Sequence, residues 1–232
     1  MATITNLFRN FWKALRFLVR WTFLTVVSLW LLAVALLVVM KWVDPPTTAV
    51  QVERHIQAWM HQTPYTKRYT FTPISEISPN FQHAVISAED ARFYLHHGFD
   101  WKAIQLAAQE DMDGGRMRGG STISQQLVKN LFFGTSRSFL RKGAEFTIVP
   151  MAELILGKQR ILELYLNVVE WGPGVYGGEE ACRYWKKGSI HTVGRQQAAQ
   201  LASILPAPLK RRPDRMSHYT SVILRRMGQV GW

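Results

Sequence analysis

The chain of 232 residues is 47% hydrophobic and carries a formal net charge of +12 at pH 7. Once a membrane segment is set aside, this length allows one compact domain and excludes a large multidomain enzyme. The positive charge favours an anionic partner, and a domain tethered to a membrane meets lipid headgroups and lipid phosphates before it meets nucleic acid. Cys182 is the single cysteine, which excludes an internal disulfide and indicates a small core residue.

An uncharged apolar segment near the N-terminus predicts one membrane-spanning helix at residues 21–40. At a rise of about 1.5 Å per residue, this segment covers about 30 Å, the thickness of the hydrocarbon layer. Residues 1–20 form a basic tail without acidic residues, and its cations are Arg9, Lys13, Arg16 and Arg20. This asymmetry predicts a cytoplasmic N-terminus, with the rest of the chain outside. A signal-peptide cleavage site at residues 33–35 is the alternative, but it would lie in the middle of the apolar run.

The rest of the chain is predicted to form a connector at residues 41–65 and one domain at residues 66–232. Apolar residues in the domain recur with the helical period, and few alternating runs are long enough for strands. An all-α fold is therefore predicted. Its helices are expected at residues 81–95, 101–112, 122–132, 139–156, 158–171, 178–185, 195–205 and 219–228.

Between Glu89 and Asp100, four types of ionisable residue surround an aromatic residue. In a helix, Glu89, Phe93 and His96 would lie along one stripe, and Gly98 would end the segment. A carboxylate beside an aromatic wall can have a raised pKa and act as a base. The alternative is an ordinary solvated carboxylate in the first turn of a helix.

A second segment, from Gly119 to Asn130, begins with two glycines and a Ser121-Thr122 helix cap. The free amides at such a helix start could bind an oxyanion, and Gln126 and Lys129 share one face of the helix. An ordinary surface helix would also explain the pattern. The preceding loop, with Arg116 and Arg118, is predicted to be mobile.

Two further segments carry paired polar residues at helical spacing. Arg141 and Glu145 lie at i and i+4, which fits either a surface ion pair or a shared site. Glu163 and Asn167 have the same spacing on a largely apolar helix, where a structural hydrogen-bond network is as reasonable as catalysis.

The order and spacing of these four segments resemble the motifs of the peptidoglycan glycosyltransferases, glycosyltransferase family 51, over about residues 52–208. The single membrane segment and the lack of Ser-x-x-Lys and Lys-Thr-Gly motifs are similar to the monofunctional branch, which has no transpeptidase domain. The resemblance implies a lysozyme-like helical domain with a small membrane-proximal lobe, on the periplasmic face of a bacterial inner membrane. It also implies polymerisation of lipid II, a disaccharide-pentapeptide on undecaprenyl diphosphate, into linear β-1,4 glycan strands without cross-linking.

The resemblance also implies roles for individual residues. Glu89 would be the base that takes the proton from a sugar 4-hydroxyl, and Asp90 and His96, counted with the substrate-binding residues, would orient it or hold the local network. The leaving lipid diphosphate would need cations, and the other expected substrate contacts are polar. The expected cations are Lys129, Arg141 and Lys142, and the expected polar contacts are Ser121, Thr122 and Gln126.

Glu145 matches the second essential carboxylate of the family, and three roles for it stay open. It could position the donor, hold a divalent cation such as Mg²⁺ or Mn²⁺ on the diphosphate, or support positive charge at the anomeric carbon. No organic cofactor is expected. The remaining motif residues, Phe93, Gly98, Glu163 and Asn167, are expected to be structural.

Three features depart from the family pattern or extend it. Pro150 lies inside a predicted helix and should kink or shift it, which leaves the aim of Arg141 and Glu145 open. The run from Lys210 to Arg215 is interpreted as solvated or as facing lipid headgroups. Aromatic residues interleaved with basic ones fit either a membrane-facing surface or a core patch. These are Phe132, Phe133 and Phe139 with Arg137, Arg141 and Lys142.

Two other classes of protein fit parts of the sequence. A wall-cleaving muramidase would also use one acidic residue, but it has no need for cations around a diphosphate. A noncatalytic membrane scaffold would not need Glu89 and Glu145. The expected partners are lipid II, the growing lipid-linked glycan, membrane lipids, and other cell-wall synthases and division proteins, with no nucleic acid.

Overall fold

A computed structural model describes residues 2–112, 120–136 and 138–232. The predicted mobile loop with Arg116 and Arg118 lies outside these residues, as do Gly119 and Arg137. Most of the described chain is helical, and the predicted all-α fold is confirmed. The helices are α1 (Ala2–Met40), α2 (Ala49–Met60), α3 (Pro79–Glu89), α4 (Trp101–Met112), α5 (Ile123–Phe132), α6 (Phe139–Val168), α7 (Gly178–Tyr184), α8 (Arg195–Ala202) and α9 (Ser217–Gln229). Short 3₁₀ turns lie at Ile74–Glu76, Phe93–Leu95 and Pro213–Arg215.

Helix α1 contains the predicted membrane segment and continues it toward the N-terminus. Within its part from Arg9 to Met40, an 18-residue window has a mean hydropathy of 2.8, and the length and composition of this part suffice to cross a membrane. The C-terminal end of α1 packs against α6, where Ala33 and Leu37 are buried. Arg160 of α6 closes this junction, because its Nε donates to the Met40 carbonyl at 2.8 Å. The membrane helix is thereby joined to the domain through packing as well as through the connector.

A small three-stranded sheet adds to the helical fold. The strands are β1 (Arg68–Tyr69), β2 (Glu170–Gly172) and β3 (Val175–Tyr176), in the order β1-β3-β2. Strand β1 runs parallel to β3, and β2 runs antiparallel to it. Sequence analysis did not predict this sheet, because strands of two or three residues are too short to show alternation.

The core lies around the second half of α6. Helix α5 packs against α6, while α3 packs against α8 and α9. The largest fully buried side chains include Phe81, Tyr165 and Trp171, and the rings of Phe81 and Trp171 lie 5.3 Å apart. Cys182 is a buried core residue, as predicted, and burial raises the pKa of its thiol to about 12.

The backbone of α6 breaks at Gly157, which agrees with the predicted boundary between two helices. Gly157 has φ +70° and ψ 165°, a conformation that favours glycine. The expected disturbance at Pro150 is not found in the backbone angles, since Gly157 is the non-helical residue within this element. Pro150 and Phe146 are exposed, so water can satisfy the Phe146 carbonyl that loses its helical partner.

The predicted helix at residues 81–95 is too long. Helix α3 ends at Glu89, and Asp90 leaves the helical conformation with φ −157° and ψ 71°. The chain then continues into the 3₁₀ turn at Phe93–Leu95. The expected stripe of Glu89, Phe93 and His96 on one helix is therefore wrong. The reason is tertiary, because the Asp90 carboxylate is held by groups outside α3.

Candidate active site

A cleft of about 480 Å³ brings together most of the predicted site residues. Its predicted members are Glu89, Ser121, Gln126, Lys129, Arg141, Lys142 and Glu145. Leu205, Pro206 and Tyr219 also line the cleft. Segments far apart in the sequence, the ends of α3, α5 and α6, thus meet at one site. Asp90, His96 and Thr122 do not line the cleft but are buried beside it.

Glu89 is the last residue of α3, and its carboxylate is partly buried in the cleft. Gln126 Nε2 donates to Glu89 Oε2 at 2.7 Å. Burial raises the pKa of Glu89 above its ordinary value of 4.5, and the negative charge of Asp90 acts in the same direction. The Gln126 hydrogen bond and the positive charges of Arg211 and Lys129 act in the opposite direction. A carboxylate in this environment is suited to accept a proton.

Asp90 and His96 form a buried pair behind Glu89. His96 Nε2 lies 3.0 Å from both carboxylate oxygens of Asp90. The Gly98 amide donates to His96 Nδ1 at 3.2 Å, so Nε2 carries the ring hydrogen that faces Asp90. Asp90 Oδ2 also accepts the Ile123 amide at 3.0 Å. The pair therefore joins the end of α3 to the start of α5, the helix that carries Gln126 and Lys129.

The N-terminus of α5 is closed by its own capping residues. Thr122 Oγ1 accepts the Gln125 amide, and Gln125 Oε1 accepts the Thr122 amide, which forms a capping box. Thr122 Oγ1 also donates to the Gly98 carbonyl at 2.6 Å. At this helix start, the amides of Ile123 and Gln125 are thus occupied within the protein and are not free to bind an oxyanion.

Gly98 is required where the chain passes over α6. Its φ is +93°, and a Cβ atom there would lie 2.6 Å from Val149 Cγ1. Phe93 is fully buried nearby, with the Lys158 ammonium 4.4 Å from its ring centroid. Both motif residues therefore support the loop that follows Glu89.

Three cations, Lys129, Arg141 and Lys142, line the cleft together with Glu89. Glu145 is only 3% exposed, and its Oε1 lies 2.9 Å from Arg141 Nη1. Lys142 Nζ donates to Glu145 Oε2 at 3.2 Å. Burial, followed by the charge of Arg141, lowers the pKa of Lys129. Within the described part of the chain, the Lys129 ammonium has no hydrogen-bond or ion-pair partner, so it is available to an anionic ligand in the cleft.

The described residues show no cluster of carboxylates, imidazoles and thiols that would hold a divalent cation by itself. No group of three or more His, Cys, Asp or Glu residues among them is arranged to hold a metal ion. Each carboxylate oxygen of Glu145 already faces a cation from Arg141 or Lys142. Mg²⁺ or Mn²⁺ at Glu145 stays a prediction.

Glu163 and Asn167 hold the segment around Thr72 against α6. Asn167 Oδ1 accepts the Thr72 amide at 2.8 Å, and its Nδ2 donates to the Thr72 carbonyl at 2.9 Å. Glu163 Oε1 accepts the Ile74 amide at 2.7 Å. Neither residue lines the cleft, and this geometry fits the expected structural role.

Arg211 and Tyr165 contribute to the site, although sequence analysis did not assign them to it. Arg211 is partly buried, donates from Nη1 to the Ser203 carbonyl at 3.1 Å and lies over the Tyr219 ring at 5.6 Å. Lys210, Arg212 and Arg215 are exposed, which fits the interpretation of this run as solvated or as facing lipid headgroups, whereas Arg211 is partly buried and its charge acts on Glu89. Tyr165 lies on the same largely apolar helix as Glu163 and Asn167, yet its hydroxyl donates to Gln126 Oε1 at 2.9 Å. No local sequence signal distinguishes either residue from its neighbours.

The fold and the cleft together define a glycosyltransferase-like helical domain attached to a membrane helix. The family model described as transglycosylase matches residues 55–228, and the chain belongs to that family. The lysozyme-like fold expected from the resemblance fits this assignment.

Curated relatives match the chain over most of its length. It is 44% identical over 209 residues to a biosynthetic peptidoglycan transglycosylase of Pseudomonas entomophila strain L48, an alignment that covers 88% of this chain and 89% of the relative. It is 45% identical over 184 residues to the protein of that name from Pseudomonas aeruginosa PAO1, covering 78% and 79%. A third protein with that name, from Pseudomonas fluorescens SBW25, is 45% identical over 209 residues, covering 90% and 86%.

Proposed function

We infer that the protein is a peptidoglycan glycosyltransferase that polymerises lipid II into linear β-1,4 glycan strands and releases undecaprenyl diphosphate. One observation carries this conclusion: a partly buried carboxylate, Glu89, shares a cleft with three cations, Lys129, Arg141 and Lys142. Proton abstraction from a hydroxyl and departure of a diphosphate need these two kinds of group in one place. The names of the relatives and the family support the same activity.

The proposed reaction begins at Glu89. Its carboxylate accepts the proton of the 4-hydroxyl on the acceptor sugar while that oxygen attacks the anomeric carbon of the donor. The bond between the anomeric carbon and the diphosphate oxygen breaks, and its electron pair leaves with the diphosphate. Attack from the face opposite the leaving group inverts the configuration at the anomeric carbon. Lys129, Arg141 and Lys142 stabilise the negative charge that develops on the diphosphate.

We assign supporting roles to the second carboxylate and to the buried pair. Glu145 lies between Arg141 and Lys142 and holds both cations in place, which favours donor positioning among its three expected roles. Asp90 and His96 position Glu89 through the end of α3, and Thr122 positions α5. Ser121 is exposed at the cleft and is the polar residue of this turn that can contact phosphate or sugar directly.

We propose that α1 crosses the inner membrane with its N-terminus in the cytoplasm and that the domain works on the periplasmic face. The basic residues before the apolar segment support this orientation. A hydrophobic surface near the cationic end of the cleft supports contact with lipid, because Phe139 is 99% and Leu140 is 87% exposed. Phe132 and Phe133, in contrast, are partly buried against the core. Interactions with other cell-wall synthases and division proteins stay predictions.

The test is incubation of the purified full-length protein with lipid II and, separately, with finished glycan strands. Polymer formation from lipid II without cleavage of finished glycan is expected. Cleavage of finished glycan without polymerisation would instead identify a muramidase. If the wild-type protein made no polymer and cleaved no glycan, the noncatalytic scaffold would be supported.

A further inference from the structure

The side-chain amide of Gln126 lies between Glu89 and Tyr165. Its orientation decides whether a hydrogen-bond donor or an acceptor faces the Glu89 carboxylate. Its Nε2 donates to Glu89 Oε2 at 2.7 Å, and its Oε1 accepts from the Tyr165 hydroxyl at 2.9 Å. The two ends of an amide have opposite hydrogen-bonding character, so a rotation of the amide by half a turn would exchange donor and acceptor. The acceptor end would then face the Glu89 carboxylate.

Tyr165 is constrained to donate its hydrogen to Gln126. It lies on the second half of α6 and is fully buried, so its hydroxyl must find its partner inside the protein. Burial and the charges of Glu89 and Asp90 raise the pKa of Tyr165 well above 10, which keeps the phenol protonated. Gln126 Oε1 is the acceptor of this hydroxyl among the described residues. The reversed amide would leave the phenol hydrogen without that acceptor.

The orientation of the amide has a consequence for proton transfer. A protonated Glu89 could donate to an amide oxygen, whereas an ionised Glu89 needs the amide hydrogens. By holding the carbonyl end of Gln126, Tyr165 favours the arrangement that stabilises the ionised form. The Glu89 oxygen Oε2 then accepts the Gln126 hydrogen bond. Its other oxygen, Oε1, accepts no hydrogen bond from the described residues and is free to accept a proton.

We propose that Tyr165 is a positioning residue for catalysis: its buried hydroxyl fixes the Gln126 amide so that Glu89 is held ionised, with one oxygen free to accept the substrate proton. The proposal rests on the proposed function of Glu89 as the base. Tyr165 touches neither the cleft nor the reacting atoms and acts only through Gln126.

Other charged and titratable groups around Glu89 also act on its carboxylate, independently of Tyr165. Asp90 adjoins Glu89 in the chain, Lys129 of α5 and Arg211 after α8 bring positive charge, and Tyr219 of α9 lines the same cleft. None of these groups hydrogen-bonds to the Gln126 side-chain amide among the described residues, so their own hydrogen bonds do not depend on Tyr165.

The test is Tyr165→Phe in the full-length enzyme, with lipid II polymerisation measured as a function of pH. Loss of one hydrogen bond of about 1.4 kcal/mol corresponds to a decrease in kcat of about tenfold. We expect this decrease together with a shift of the acidic limb of the pH profile to higher pH, while KM changes less. The matched control is Tyr65→Phe, because Tyr65 is a partly buried tyrosine whose hydroxyl lies 3.1 Å from Tyr176 Oη, outside the cleft. It should keep the wild-type profile.

Two further measurements make the outcome decisive. In a Gln126→Met background, Tyr165→Phe should cause no additional loss, since both changes remove the same contact. Infrared titration of the carboxyl band that Glu89→Gln removes should show a higher pKa in Tyr165→Phe than in wild type, and this readout does not need turnover. An unchanged carboxyl titration, or additive effects of the two substitutions, would overturn the inference. Absence of polymerisation by the wild type would count against the proposed function instead, and the titration would still decide the role of Tyr165.

Discussion

Replacement of Glu89 by Gln tests the base directly, because it removes the proton-accepting group with little change of shape. In the native site, Gln126 Nε2 donates to Glu89 Oε2 at 2.7 Å. A glutamine at position 89 can accept the same hydrogen bond through its amide oxygen. The three cations of the cleft and the buried Asp90–His96 pair are untouched. The variant should therefore fold and bind substrate while lacking the base.

The expected magnitude follows from what the substitution removes and what it leaves. A positioned general base contributes about 10²–10⁴-fold to the rate. This range corresponds to about 2.7–5.5 kcal/mol of transition-state stabilisation. Because Lys129, Arg141 and Lys142 still stabilise the leaving group, the loss should appear in kcat, with KM for lipid II nearly unchanged.

Although Glu89→Gln should lose activity, its free energy of unfolding at neutral pH should be higher than that of the wild type. Burial raises the pKa of Glu89 in the folded state above 4.5, so ionisation of this residue opposes folding. The favourable contribution of protonated Glu89 to folding stability is complete below the unfolded-state pKa and is lost as pH rises through the folded-state pKa. The Gln variant has no such loss, and its stability relative to wild type should increase with pH from about 4.5 upward.

The assay combines polymerisation of lipid II with denaturant unfolding at several pH values. Glu76→Gln is the matched control, since Glu76 is exposed and lies outside the cleft. A folded Glu89→Gln enzyme that kept more than about a tenth of wild-type kcat would refute the assignment of Glu89 as the base. A variant that was less stable at pH 7 than at pH 4.5, relative to wild type, would refute the electrostatic argument.

The other substitutions test the surroundings of Glu89. Lys129→Ala should raise KM for lipid II and weaken binding of the diphosphate product by about 1.5–3 kcal/mol, the contribution of a hydrogen bond to a charged group. Calorimetry with undecaprenyl diphosphate measures this binding, and an unchanged affinity would contradict the role of Lys129 as a diphosphate ligand. Arg211→Ala removes a charge that lowers the pKa of Glu89, so the acidic limb of the kcat/KM profile should move to higher pH, and an unmoved limb would place Arg211 outside the site. Gly98→Ala should destabilise the fold by more than about 1 kcal/mol, because a left-handed conformation is unfavourable for alanine and its Cβ would lie 2.6 Å from Val149 Cγ1; an unchanged denaturation midpoint would show that the loop can shift.

Helices were predicted correctly from the sequence wherever a local hydrophobic pattern was long enough to show a helical period. The apolar run ending at Met40 has the length of a membrane span, and the break in α6 coincides with Gly157. Both follow from the composition of a short stretch of chain. The two strands around Gly174 and the third at Arg68 escaped prediction, since so few residues have no measurable period.

The end of α3 shows the limit of local prediction. Periodicity alone extended this helix to residue 95, but the Asp90 carboxylate instead accepts the Ile123 amide, 33 positions along the chain. A helix ends where an alternative set of hydrogen bonds is better, and that set was supplied by another helix. Such a partner cannot be inferred from the spacing of residues around Glu89.

By itself, the sequence determined the membrane segment, the helical class and the identity of the chemical groups, because these depend on composition and short-range spacing. Only the tertiary structure decided which of these groups face the cleft. It turned Asp90, His96 and Thr122 inward as supports, and it brought Arg211 and Tyr165 to the neighbourhood of Glu89. The physical reason is that burial and hydrogen bonding between distant segments set the pKa and orientation of a side chain, and neither is encoded in its immediate neighbours.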